Sequence, residues 1–339
     1  MSETVNYNIR RVTLREIAKK GKVSLSTASK VLSGSHAGFI SDETKRRIQK
    51  IARDLRYLPN FGQRLLAGKK TNIVGLVIGN ERVSREEHIQ RLIVELAFAF
   101  KEKKQLLYTN LLSEDRPVED ILELINMGCE AFVIIGTPSG FEEVERAILE
   151  NGKTYINVTG LFPRQIRSDV PWAFAEFAGH FKKIGAWPFR LLEHPATVGQ
   201  VQSLRVAGLL RAFPGEPPQK VIDQYLCPIS PKADDRESFF QAGYEATGEL
   251  ILKNPEVKGF LYHNDDVALG GMRLLHEKGF AIGKDVHVAG YNDGTAARFG
   301  TVPFSSAGLD YELVAETIVR EVFRSEPVDL WIKPKMAFR

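Results

Sequence analysis

The stretch "VSLSTASKVL", Val23 to Leu32, decides how this sequence is read. Its apolar residues fall at nearly helical spacing, yet serine, threonine and lysine fill the gaps between them. Serine and threonine are mediocre helix formers, because their hydroxyls compete for backbone groups. On a helix, Ala28, Val31 and Leu32 share one side, while Leu25, Ser26, Ser29, Lys30 and Ser33 share the other. The first set is a packing face. The second is a face of small hydroxyls and one lysine, suited to a phosphate-lined groove. Hydroxyls donate to backbone oxygens, a lysine reaches guanine acceptors, and Leu25 offers apolar contact to a thymine methyl.

The flanking sequence supplies partners for the packing face. Thr13 and Glu16 form a capping box that opens an amphipathic helix with Leu14, Ile17 and Ala18 on one side. Gly21 and Lys22 end it, and Ser24 caps the quoted helix. Ser41 caps a third helix with Asp42 and Glu43 in its first turn, a stripe of Ile48, Ile51, Ala52 and Leu55, and Pro59 as the stop. Three short helices, the second reached by a short turn, predict a helix-turn-helix bundle over residues 11–58. Many three-helix bundles never touch DNA, so the pattern alone leaves that open. Residues 59–70 hold a helical stretch, Asn60 to Ala67, too short to stand alone in water. It is either a linker or a hinge helix that folds when Phe61, Leu65 and Leu66 press into a minor groove.

Charge follows the same division. Residues 1–70 carry 16 Lys/Arg against 5 Asp/Glu, a net of +11, whereas the rest carries 30 against 37, a net of −7. A basic head on a mildly acidic body is the footprint of a nucleic-acid binder, though a basic face can also be merely solvated. Two cysteines, Cys129 and Cys227, predict reduced thiols with neither a disulfide framework nor a metal cluster. The polar N-terminus and the lack of any long apolar run predict a cytoplasmic chain with no membrane contact.

From residue 71 to 339, short apolar runs alternate with amphipathic segments of helical length. The expected strands are "NIVGLVIG", "QLLYTN", "AFVIIG", "KTYINV", "FRLLE", "VIDQYL", "GFLYH" and "VHVAGY", with a last strand in "DLWIKPKMAF". This alternation predicts parallel α/β architecture. No dinucleotide fingerprint, P-loop, zincin motif or nucleophile elbow is present, which argues against an enzyme and calls for no cofactor or metal. Asp265 and Asp266 look like a carboxylate dyad, but neighbours at a helix start diverge, so a capping role is expected for them. His88 reads as a surface helix residue.

The segments "VTLREIAKKGKVSLSTASKVLSG", "ISDETKRRIQKIARDLRYLPN" and "RLLAGKKTNIVGLVI" closely resemble the lactose-repressor (LacI) family of bacterial transcription regulators. The resemblance spans the chain and is strongest over residues 12–78. It implies a helix-turn-helix head with a hinge helix, then a two-lobed, doubly wound parallel α/β body like a periplasmic binding protein. It also implies a homodimer on a pseudo-palindromic DNA operator, with a small-molecule effector, a sugar or related metabolite, in the interlobe cleft. By the same resemblance, Leu25, Ser26 and Lys30 read bases. Thr13, Ser24, Thr27, Ser29, Thr44, Tyr57 and Asn60 lie near the DNA backbone, and Leu66 is the minor-groove leucine. Leu14, Ser33 and Gln63 complete that set.

Around the cleft, the resemblance nominates Asp169, Arg205, Asn264 and Asn292 as effector ligands, with an interlobe ion pair as the alternative for Arg205. Chain crossings between the lobes are expected near residues 182–190, 302–309 and 330–335. Several positions depart from the family pattern. Lys30 stands where arginine is commoner, Gln63 where alanine is usual, and Asn292 where aspartate is usual. "SREEH", Ser84 to His88, replaces an aromatic-bearing segment that lines the pocket in relatives. The second expectation is therefore a DNA-binding regulator whose cleft has lost its small ligand. A solute-binding protein is disfavoured by the basic head.

Overall fold

The computed structural model describes residues 12–33, 39–57, 70–79, 81–159, 162–193, 203–233 and 235–339, in two compact units, Met1–Thr71 and Asn72–Arg339. In the first unit, helices α1 (Leu14–Gly21), α2 (Leu25–Ser33) and α3 (Asp42–Asp54) enclose a small core of Ile17, Val31, Ile48 and Ala52, with Ala28 fully buried. The capping box forms as expected: Glu16 N donates to Thr13 Oγ1 at 3.3 Å, and Thr13 N donates to Glu16 Oε2 at 2.8 Å. Lys22 closes α1 in the left-handed region at φ 50°. Helix α3 ends at Asp54, ahead of Pro59, where Arg56 turns left-handed at φ 51° and Tyr57 N donates back to Ala52 O. The stop is thus this turn, which satisfies the last carbonyls of the helix, rather than the proline.

The second unit holds two lobes. In the first, β1 (Ile73–Ile78), β2 (Leu106–Leu111), β3 (Cys129–Ile135), β4 (Thr154–Val158), β5 (Arg164–Ser168) and β11 (Val328–Ile332) form a parallel sheet. Its order is β11-β5-β4-β3-β1-β2. Helices α5 (Glu87–Glu102) and α14 (Tyr311–Glu321) pack on one face, against Val74, Leu76 and Ile78. Helices α6 (Pro117–Asn126) and α7 (Phe141–Glu150) cover the other, against Val77, Phe132 and Ile134. Burial on both faces explains why the central strands β1, β3 and β4 read as largely apolar runs. A single turn, α4 (Glu81–Ser84), precedes α5.

The second lobe is a smaller parallel sheet, β7 (Leu226–Pro228), β6 (Phe189–Glu193), β8 (Gly259–Tyr262) and β9 (His287–Ala289), in that order. Around it lie α8 (Val170–Lys183), α9 (Leu204–Ala212), α10 (Pro218–Tyr225), α11 (Arg236–Lys253), α12 (Asp265–Glu277) and the short α13 (Thr295–Phe299). An antiparallel pair, β10 (Ser306–Gly308) with β12 (Lys335–Ala337), completes it. Glycines let α11 and α12 nearly touch. A Cβ on Gly270 would lie 1.8 Å from Phe240 O, and one on Gly243 2.1 Å from Val267 O.

Three expectations are corrected. "VIDQYL" is mostly helix α10, because Pro218 presets its first turn and Val221 and Tyr225 bury a helical face. The last predicted strand is two, β11 and β12, one in each lobe. The first interlobe crossing lies at Asp169, between β5 and α8, and not at 182–190. Helix α8 belongs to the second lobe because Phe174, Phe177 and Phe181 pack with Phe189 and Leu191. The other crossings fall at residues 309–310, at the far end of the expected 302–309, and at 333–334, inside the expected 330–335.

Candidate DNA-binding surface and interlobe cleft

Helix α2 has one buried side and one exposed side. Ala28 and Val31 are buried, while Leu25, Ser26 and Lys30 are exposed, Leu25 at 49%. Thr27 and Ser29 lie half-buried at the edges. Ser24 Oγ accepts from Thr27 N at 3.0 Å and pairs with Thr27 Oγ1 at 2.8 Å, which braces the helix start and leaves one hydroxyl donor of the pair over. Ser41 caps α3 through Thr44 N, with its hydroxyl on Thr44 Oγ1 at 3.0 Å. Thr13 sits exposed at the start of α1, and Leu14 is half-buried behind it. Ser33 is the last residue of α2. Tyr57 packs against the small core. Asn60, Gln63 and Leu66 lie outside the described residues.

In the body, Asn264 and Asn292 follow β8 and β9 of the second lobe, Asp169 follows β5 of the first, and Arg205 sits on α9; the side chains of Asp169, Asn264 and Arg205 already have partners. Asp169 caps α8 by accepting from Trp172 N at 2.9 Å and faces Arg211 at 3.8 Å. Asn264, not Asp265 or Asp266, caps α12, its Oδ1 accepting from Val267 N at 2.9 Å. Arg205 Nε donates to His263 O at 2.7 Å and lies 3.6 Å from fully buried Glu193. That ion pair stays within one lobe. His263 Nδ1 meets the same carboxylate at 2.7 Å. The Arg205 guanidinium stands 5.7 Å from the Phe174 ring and 5.8 Å from the Tyr291 ring. Asn292 holds a left-handed backbone at φ 106°.

Asp265 and Asp266 diverge, as neighbours at a helix start should. Asp266 pairs with Arg236 at 2.9 Å, on the more open side. Asp265 turns inward, accepting from Ser306 Oγ at 2.7 Å and Gly294 N at 2.8 Å. Burial pushes its carboxyl up to about 7 against the relief of those two bonds, and the charges of Asp293 and Asp266 add to the rise.

Residues from both lobes meet beside Asn292. Glu87 Oε1 accepts from Thr295 N at 2.9 Å and from Thr295 Oγ1 at 2.6 Å. Arg91 Nη1 donates to Asp293 O at 3.1 Å while its guanidinium lies 4.3 Å from the Tyr311 ring centre. A polar recess of about 30 Å³, room for one water, is lined there by Glu86, Glu87 and His88 opposite Arg236, Asp265 and Asn292. His88 is therefore half-buried in this recess rather than a plain surface residue. Sequence reading missed Glu193, His263, Glu87 and Arg91. The only available signal was that "SREEH" departs from the family pattern.

Among the described residues, no cluster of three or more His, Cys, Asp and Glu is arranged to hold a metal. No described helix is long and apolar enough to cross a membrane.

Comparison with known proteins adds an independent line. Residues 13–60 match the family described as bacterial regulatory proteins, lacI family, and residues 190–325 match a periplasmic binding protein-like domain. The chain is 28% identical to the HTH-type transcriptional regulator AscG of Escherichia coli (strain K12), over 92% of this chain and 91% of the relative. It is 24% identical to the lactose operon repressor of the same organism, over 91% and 83%. Among solved structures it is similar to the lac repressor dimer bound to operator and the anti-inducer ONPF, with TM-score 0.74, 18% identity and 96% and 98% coverage. It is also similar to a transcriptional regulator CelR–cellobiose complex, with TM-score 0.63, 19% identity and 97% and 99% coverage.

Proposed function

This chain belongs to the LacI family of bacterial DNA-binding transcription regulators, and from that premise we propose that it binds a pseudo-palindromic operator as a homodimer. In this reading it is a cytoplasmic repressor and not an enzyme. The observation that carries it is the two-sided character of α2. Ala28 and Val31 anchor the helix, while Leu25, Ser26 and Lys30 stand clear of the head's core. Lys30 supplies the base-reading charge. Thr13, Ser24, Thr27, Ser29, Thr44 and Tyr57 supply sugar-phosphate contacts, and Leu66 wedges the operator centre. The net +11 of the first 70 residues supplies non-specific, salt-dependent attraction.

The body takes a small-molecule effector between its lobes, at Arg205, Asp169, Asn264 and Asn292. Arg205 supports this because its two terminal nitrogens make no hydrogen bond among the described residues, while its Nε is fixed by His263 and Glu193. A guanidinium so held offers a fork to paired ligand oxygens.

The test is selection of operator sequences from a random duplex pool by the full chain, followed by titration of Lys30→Ala. A symmetric site should emerge. The variant should lose about 1–3 kcal/mol on that site and much less on unrelated DNA. Equal losses on both would remove Lys30 from base reading. Failure to select any site would overturn the operator reading.

A further inference from the structure

The contacts between the lobes go further than an effector cleft requires. Glu87 begins α5 of the first lobe, in the "SREEH" segment. It reaches across to the backbone and hydroxyl of Thr295, the first residue of α13 in the second lobe, at 2.9 and 2.6 Å. One turn later, Arg91 donates to Asp293 O at 3.1 Å, its guanidinium backed by the Tyr311 ring. Residues four apart on a helix share a face, so one side of α5 delivers both contacts.

The receiving loop, 292–295, is itself tightly specified. Asn292 and Asp293 both hold left-handed backbones, at φ 106° and 44°, which non-glycine residues keep only when their surroundings over-determine them. Those surroundings come from both lobes. Asp293 N donates to Ser306 Oγ at 3.0 Å, Arg339 Nη2 donates to Asp293 Oδ1 at 2.8 Å, and Gly294 N is held by Asp265. Glu87 and Arg91 complete the grip from the first lobe.

We propose that Glu87 and Arg91 form a latch that holds the two lobes in this arrangement without a small molecule. In a cleft regulator, closure is driven by ligand contacts made to both lobes. Here a carboxylate and a guanidinium of the chain itself make such contacts at one edge of the cleft. The latched arrangement is then the default state, and an effector acts by working with this latch or by displacing Glu87 from Thr295. The regulatory meaning rests on reading the body as an effector domain, whereas the latch is a property of the lobes alone.

The test is a distance measurement on the ligand-free full chain. Spin labels at Glu119→Cys and Glu237→Cys, in a Cys227→Ala background and diluted with unlabelled chain, report the interlobe separation. The latch predicts one narrow distribution for the parent and a broader, longer one for Glu87→Ala/Arg91→Met. Glu87→Gln keeps an acceptor for Thr295 N and should fall between them. If the double variant does not fold, Thr295→Ala removes one donor from the opposite side and should still broaden the distribution. Identical distributions in the parent and all folded variants would overturn the latch, as would a broad one in the parent. Operator binding by the same parent chain is scored separately, so a failed function reading leaves the distance result standing.

Discussion

Asp265 shows how one residue can be recognisable in sequence and still be assigned the wrong job. Its divergence from Asp266 follows from adjacency on a helix, but the cap went to Asn264, whose Oδ1 reaches Val267 N. Asp265 instead holds Gly294 and Ser306 together, at 6% exposure. Its carboxyl lies at about 7 in the fold against 3.8 as a free side chain, with burial the main cause. The folded state therefore binds this proton more tightly than the unfolded chain. Its contribution is fully present below about pH 3.8 and is lost as pH rises through about 7. Asp265→Asn, which cannot ionise, should show a flatter dependence of Tm on pH between 5 and 8. It should gain on the parent toward pH 8, by roughly 1.4 kcal/mol for each factor of ten by which folding tightens proton binding in the parent. Thermal melts at the two pH values check this, and parallel curves for the two proteins would refute it.

Elements were legible wherever local chemistry fixes them. The head's helices begin at Thr13, Ser24 and Ser41 because each hydroxyl accepts an amide that would otherwise be unsatisfied. Ser24→Ala should cost about 1 kcal/mol of helix stability, read as faster amide exchange over Leu25–Ser33 in the full chain. Ser24→Asp keeps an acceptor and should restore protection while weakening DNA binding by repelling phosphate. Unchanged exchange in Ser24→Ala would mean that packing alone holds α2. Legibility failed at "VIDQYL", where β-branched residues suggest a strand. Pro218 and the burial of Val221 and Tyr225 four residues apart make it a helix, because the neighbouring aromatic core of Phe189 and Phe213 accepts that face.

At the scale of the molecule, the first lobe leaves an apolar edge. Val94 and Phe98 stand on the outer side of α5, at 52% and 60% exposure, and Leu106 and Tyr108 lie on β2, the edge strand of the sheet, at 62% and 43%. Residues four apart on one helix beside an apolar edge strand suit a mate of the same kind, which supports the proposed homodimer. Phe98→Asp should raise the dimer dissociation constant at least tenfold and weaken operator binding with it, as sedimentation velocity and DNA titration would show. An unchanged dimer would place the interface elsewhere.

By itself the sequence determined the helix-turn-helix, its caps, its basic charge and the parallel α/β alternation of the body, because these rest on spacing and on neighbours three or four residues away. It could not place the first interlobe crossing, since the lobe to which α8 belongs depends on Phe174, Phe177 and Phe181 finding Phe189 across the chain. Nor could it show that Glu193 holds Arg205 and His263, or that Glu87 meets Thr295, 208 residues away in the sequence. Only the tertiary structure decided those, because the pairing of distant polar groups is set by which faces the two sheets bury and which ends they leave facing each other.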